Sequence, residues 1–350
     1  MTDRAPEYVK VLRTIAGSTW GATLGAAREV YLRMVRPALA YGALLWFRPD
    51  GILPAAKRMM AKLRAIQGRC LRAVAGAYKA TSAEALEAET HVEPLDIHVS
   101  KAALQAAARV KLSKAFHGIA RRTEKVLRGS HIRGPTPRSE GPFQKLTAWV
   151  ERKTGKPLQR SQEAEEEARR KGDRKLLREV RATIQTFFEQ EWQRRWSTAA
   201  QGTHSRRLQP ELSEVSFRCL ARMKRPVASL VIQLRTGKIG FGLFLHKMRV
   251  PGFEDPLCHE CDEGVEMSVK HVLMTCSKWL ILREECFSRA FQGGSQPTLK
   301  GLLGTRKGCL AAARMIQKTD LLAQFRACDF DGAGEEERAE EEEEDVEDVS

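Results

Sequence analysis

Lys57-Arg-Met-Met-Ala-Lys-Leu-Arg-Ala-Ile-Gln-Gly-Arg-Cys-Leu-Arg-Ala-Val-Ala-Gly-Ala77 is the stretch on which the fold class turns. Met60, Leu63, Ile66, Cys70, Leu71 and Val74 recur at steps of three and four, the repeat that lays side chains along one side of a helix. Lys57, Arg58, Lys62, Arg64, Arg69 and Arg72 fall mostly around the rest, and Gly76 is placed to end the helix. Working outward, Thr81 followed by Glu84 has the spacing of a capping box for a helix containing Leu86. After a break at Pro94, Leu95 to Phe116 reads as an alanine-rich helix. Upstream, Leu24, Tyr31, Met34, Val35, Leu39 and Leu45 predict a helix or helix pair interrupted at Pro37. A charged run from Glu163 leads into a second long stripe at Leu177, Val180, Ile184, Phe187, Phe188, Trp192 and Trp196. Only Val231 to Leu245 leaves strand and helix open.

The fold class is therefore mainly α. The chain divides into a helical bundle over 1–117, a basic and charged linker over 118–175, a helical region over 176–290 and a helical segment over 291–328. The linker contains Gly129 to Pro142, with three glycines and three prolines. The acidic end, 329–350, is of low complexity and is expected to be disordered.

Charge narrows the function. The chain has 350 residues and a formal net charge of +15. Thirteen acidic residues and one basic residue lie between Asp329 and Ser350, which leaves 58 basic against 31 acidic side chains, or +27, in the first 328 residues. A basic body with an acidic tail is the asymmetry of a nucleic-acid partner more than of a small-molecule enzyme. The apolar runs fall far short of the ~18 residues of a membrane span. The start, Met1-Thr2-Asp3-Arg4, lacks the apolar region of a signal peptide. An intracellular, nuclear setting is expected, with RNA or DNA as partner through phosphate contacts and no membrane. The acidic tail offers a surface to a basic protein.

One constellation carries chemistry: Cys258-x2-Cys261-x9-His271-x4-Cys276. Two cysteines two residues apart chelate one ion from a tight turn, and a His and a Cys at the start of a following helical stretch close a tetrahedron. Such Cys3His sets hold structural zinc with all four positions filled by protein, so no position is left for a reactive water. A redox Cys-x2-Cys pair or buried core thiols are the competing readings. His259 is the alternative fourth ligand, less favoured because its ring would have to fold back on Cys258. Cys70, Cys219, Cys286, Cys309 and Cys328 read as core or surface thiols. For nucleic acid, Arg235, Lys238, His246, Lys247 and Arg249 precede the cysteines, and Trp192, Trp196, Phe241 and Phe244 offer stacking faces. At helical spacing such aromatics also serve as core. Gly237-x2-Gly240-x-Gly242 has the spacing of neither common phosphate loop.

Tyr31-Leu-x-Met-Val-Arg-Pro-Ala-Leu-x-Tyr-Gly-x-x-x-Trp46, with Ile66-Gln67, Leu71-Arg72, Gly76-Ala77-Tyr78 and Thr81 to Glu89, resembles the segment after the polymerase palm in reverse transcriptases of non-LTR (LINE-type) retrotransposons. Trp192-x3-Trp196, Leu234-Arg-Thr-Gly-Lys-Ile-Gly240 and the Cys258–Cys276 knuckle resemble that family's C-terminal end, in its fungal Tad-like branch most. The resemblance covers residues 10–117 and 190–285. It implies a thumb-like bundle that grips nucleic-acid backbone and a zinc knuckle that holds element RNA or target DNA. The Tyr-x-Asp-Asp palm motif and the Thr-Asp-Gly strand of an RNase H domain are both missing, so the resemblance implies a catalytically incomplete, non-enzymatic chain. The alternatives are a zinc-stapled helical adaptor or an inactive relic of such an enzyme.

Overall fold

A computed structural model describes residues 5–41, 54–113, 142–158, 174–288, 290–291 and 297–330. The Gly/Pro-rich linker, the charged run from Glu163 and the acidic tail beyond Phe330 lie essentially outside these residues. Among those described the structure is helical, with no strand and only two isolated β-bridges. None of the described helices is long and apolar enough to cross a membrane.

The deciding stretch forms α4 (Pro54–Ala75), which follows α1 (Ala5–Ile15), α2 (Leu24–Val30) and α3 (Arg36–Ala40). Leu63, Ile66, Cys70, Leu71 and Val74 of its stripe are buried, whereas Arg58, Lys62, Arg64 and Arg69 are exposed. Gly76 ends it at φ +61°, and a β-carbon there would sit 2.2 Å from Ser229 Oγ. Both the left-handed backbone and the close approach demand glycine.

Two expectations are corrected locally. The helical run from Leu24 to Ala40 is not broken at Pro37. It passes through a π turn at Tyr31–Val35, and Pro37 then sits within α3. The wider turn just upstream accommodates a residue that has no N–H to donate. Nor is Thr81 a helix cap. Ser82 takes that place, its hydroxyl accepting from the Ala85 amide at 3.3 Å to open α5 (Ala83–Glu89). Thr81 is buried, and its carbonyl accepts from Arg72 Nη2 at 2.9 Å.

The chain forms two compact units that interleave in sequence, Met1–Val35 with Ile66–Val92 and Trp196–Ser350, and Arg36–Ala65 with Glu93–Arg195. This differs from the consecutive division read from the sequence, since residues 1–117 contribute to both. In the second unit α6 (Leu95–Lys111) contacts α3 and α7 (Pro142–Thr154). The stripe predicted from Leu177 onward lies on α8 (Arg174–Thr198), with Val180, Ile184 and Phe188 buried. Trp149 of α7 packs edge-on to Phe187 at 5.2 Å and stacks on Phe188 at 5.9 Å.

Glu93 opens α6's approach with its carboxylate 2.8 Å from His98 Nδ1 and 2.5 Å from Lys101 Nζ. Burial pushes its pKa up, but the His98 hydrogen bond and the Lys101 charge outweigh it and hold the group down at about 2, against 4.5 unperturbed. A depressed carboxylate contributes stability that is present above its unfolded pKa and is lost as pH falls through the folded one. Stability should therefore drop between about pH 4.5 and pH 2, by about 3 kcal/mol from this group. Acid titration of the melting temperature checks it: Glu93→Gln should flatten that limb, and an unchanged limb would remove Glu93 from the account.

In the first unit the central element is α11 (Arg225–Thr236), flanked by α9 (Thr203–Leu208), α10 (Glu214–Ala221) and α12 (Gly242–Lys247). The stretch left open between strand and helix is thus α11, a glycine turn and α12. Every residue of α11 from Val227 to Thr236 is buried. It contacts α2, α9, α14 (Leu299–Gly304) and α15 (Arg306–Thr319), which follow α13 (Leu280–Phe287). Burying its Val, Leu and Ile side chains stabilises the unit by roughly 1.5–3 kcal/mol each. At its start the Arg225 guanidinium is buried with no carboxylate partner among the described residues; it donates to Gly17 O at 2.6 Å, Ala73 O at 2.8 Å and Val74 O. Burial pulls its pKa down to about 10. The cation is stabilised there by the carbonyls of the last turn of α4, at the negative end of the helix.

Candidate metal centre

The cysteine turn is built by a short hairpin. Cys258 N donates to Val265 O at 2.8 Å, Met267 N donates to Pro256 O at 2.8 Å, and Leu257 bridges Glu266. Its base packs on the first turn of α12, where a β-carbon on Gly242 would lie 3.2 Å from both Leu257 O and Met267 Cβ. Gly242 is thus a point of close approach, not part of a phosphate loop.

His271 and Cys276 come from the other side, on a π turn at His271–Thr275 whose closing bond runs from Cys276 N to His271 O at 2.8 Å. The turn type matters. In an α-helix five residues advance about 500°, leaving the two side chains about 140° apart. The wider π turn brings them round to one side, which is how an x4 spacing delivers two ligands to one point.

The four ligand atoms of Cys258, Cys261, His271 and Cys276 all lie within 4.8 Å of one another, and all four residues are buried. Cys261 Sγ is 3.3 Å from His271 Nε2. A tetrahedral ion with legs of about 2.0–2.3 Å requires edges of roughly 3.3–3.8 Å, so the cluster needs only a slight contraction to hold one. The residues fit a metal ion. His271 Nδ1 lies 3.1 Å from Thr275 Oγ1, a hydroxyl that can accept a hydrogen bond from it when Nε2 serves as the ligand atom. His259 points elsewhere: its Nε2 is 3.2 Å from Asp255 Oδ1, and its side chain is largely exposed.

Burial in the pocket opposes charge on the Cys258 and Cys276 sulfurs. Burial pushes the Cys276 thiol up to about 12, against the Lys278 amide that aims at it, and Cys261 and Cys258 add to the rise. Burial also raises Cys258, opposed by the Glu260 and Cys261 amides and reinforced by the Cys261 sulfur. Crowded buried thiols with amides directed at them are relieved by a cation at their centre, which displaces their protons. The frame is braced from α13, where Arg283 donates from Nε to Leu273 O at 2.9 Å and from Nη2 to Cys276 O at 2.8 Å.

The predicted nucleic-acid contacts are only partly at the surface. Lys247, the last residue of α12, and Arg249, just beyond it, are exposed; Lys238 is half-buried with its ammonium 5.7 Å from the Phe244 ring centre. Trp192 is half-buried on α8. Arg235 is corrected. It is 2% exposed and donates to Glu89 at 2.6 Å, to Gln209 Oε1 at 3.1 Å and to Leu303 O. No phosphate reaches it. Trp196 is also buried, its indole N–H donating to Gln209 O at 2.9 Å, and Phe241 and Phe244 are core residues. Neither Glu89 nor Gln209 stood out in the sequence. The signal for them was α11 itself, rich in Val, Leu and Ile, where an arginine within the apolar run must meet a buried partner. Compared with protein families, characterised proteins and solved structures, the chain matches none of them.

Proposed function

We propose that this chain is a non-catalytic nucleic-acid-binding protein whose C-terminal part is held together by structural zinc, and that it corresponds to the C-terminal portion of a retrotransposon reverse transcriptase. The observation that carries the reading is the buried cluster of Cys258, Cys261, His271 and Cys276. Three thiolates and an imidazole within 4.8 Å of one another are the ligand types and number that structural zinc takes. With all four positions taken by protein, the ion cross-links the hairpin to the π turn and leaves no place for a substrate. The +27 charge of the first 328 residues supports a polyanionic partner. The resemblance noted above agrees with both.

Affinity drawn from phosphate contacts is salt-sensitive and nearly independent of sequence. Binding of a labelled oligonucleotide should therefore weaken by at least about tenfold between 50 and 200 mM salt, which fluorescence anisotropy on the full chain measures. Affinity that stays flat across that range would sink the nucleic-acid reading. Zinc at less than one equivalent per chain after purification would sink the metal one.

A further inference from the structure

Val9, Lys10, Arg13 and Thr14 of α1 and Arg69 of α4 line an open groove of about 370 Å3. Three of the five are cations and none is a carboxylate. Lys10, Arg13 and Arg69 are all exposed, and none makes an ion pair with another described residue. The Thr14 hydroxyl donates to Lys10 O at 2.9 Å, so the donors facing the groove are the ammonium and guanidinium groups. Like charges converging in one concavity repel each other, and an anion seated among them relieves the repulsion.

A second observation lies one helical turn away. The helical bonding of α1 persists to Ala16, whose amide donates to Leu12 O at 3.2 Å, and the chain then closes a tight turn with Gly17 N donating to Trp20 O at 3.0 Å. The indole of Trp20 lies over Gly17: a β-carbon on Gly17 would be 2.4 Å from Trp20 Nε1. Gly17 follows the last residue of α1 by two, so the indole that covers it stands just beyond the end of the helix that carries Lys10 and Arg13. It is 55% exposed. The turn beneath it is fixed, because Arg225 donates to Gly17 O at 2.6 Å and Gly76 abuts Ser18. Core packing gives no reason to hold an indole open to solvent on an anchored turn.

The geometry points to a binding site for single-stranded nucleic acid in which one base stacks on Trp20 and the adjoining phosphates lie among Lys10, Arg13 and Arg69. The inference rests on the nucleic-acid reading above and gives it a location. A stacking face beside a cationic groove is how strands with unpaired bases are held. A duplex hides its base faces and an acidic peptide has none, so neither uses the indole.

The test uses the full-length, metal-loaded chain and anisotropy of a labelled oligo-dT 20-mer over a salt series. Trp20→Ala should weaken binding on the order of tenfold and leave the salt slope unchanged, whereas Trp20→Phe keeps most of the affinity. Arg13→Glu with Arg69→Glu should weaken binding and lower the slope by about 0.7 for each phosphate no longer neutralised. A matched duplex should be indifferent to Trp20→Ala, and polyglutamate should compete poorly. All these side chains are exposed, and a melting curve for each variant reports whether the fold is kept. Salt-sensitive binding by the wild type that none of the variants alters would overturn the site and leave the nucleic-acid reading standing. Equal loss on the duplex, or equal competition by polyglutamate, would also overturn the site. No binding by the wild type would overturn both.

Discussion

Cys276→Ser should strip the metal from the chain and unfold the knuckle around it. Cys276 is fully buried, its sulfur is one of four ligand atoms drawn within 4.8 Å, and its main chain already bonds to His271 O and Arg283. Serine preserves those main-chain bonds and removes only the thiolate, so the loss reports coordination and not hairpin geometry. Structural zinc sites contribute about 10–16 kcal/mol, as much as the whole stability of about 5–15 kcal/mol of a typical domain. Metal analysis after dialysis should give one ion per wild-type chain and none in the variant. Hydrogen exchange over residues 256–283 should rise to near the unfolded rate. Cys328→Ser, remote from the cluster in sequence and half-buried, should leave both readouts unchanged. A Cys276→Ser protein that retains a full equivalent of metal would refute the site.

Breaking the buried ion pair of the first unit should be the next largest effect. Arg235 ties together three separate segments: Glu89 at the end of α5, Gln209 just after α9 and Leu303 in α14. Glu89→Ala leaves a guanidinium buried with no countercharge, which costs about 3–5 kcal/mol. For a unit of this size the melting temperature should fall on the order of 10 °C. Replacing both partners, Glu89→Leu with Arg235→Met, should cost less than the single change, because no charge is then stranded. A single variant melting within about 2 °C of wild type would show the pair to be dispensable. Arg235→Met should also leave the salt slope of nucleic-acid binding untouched, in contrast to Arg13→Glu, since Arg235 is sealed in the core.

The cluster of three cysteines and a histidine was legible in the sequence almost completely. Its ligands span 19 residues, and a Cys-x2-Cys turn with a His-x4-Cys pair restricts geometry over so short a distance that the spacing left only His259 as an alternative to His271. What remained hidden was the means, a π turn where an α-helix would have splayed His271 and Cys276 apart. The helical stripes were legible for the same local reason: Leu63 to Val74 and Val180 to Trp196 repeat with the period of the backbone that carries them.

The surface was not legible. Arg235 and Trp196 carry the chemistry of nucleic-acid contact and lie in the core, whereas Trp20, in a stretch with no motif, stands open just beyond the helix that carries Lys10 and Arg13. Residue type and spacing thus determined the helical class and the ligand set, because both depend on chain geometry within a few turns. Which charges meet solvent was decided only by the tertiary structure, through contacts such as Arg235 with Glu89, 146 residues apart, whose existence no local pattern encodes.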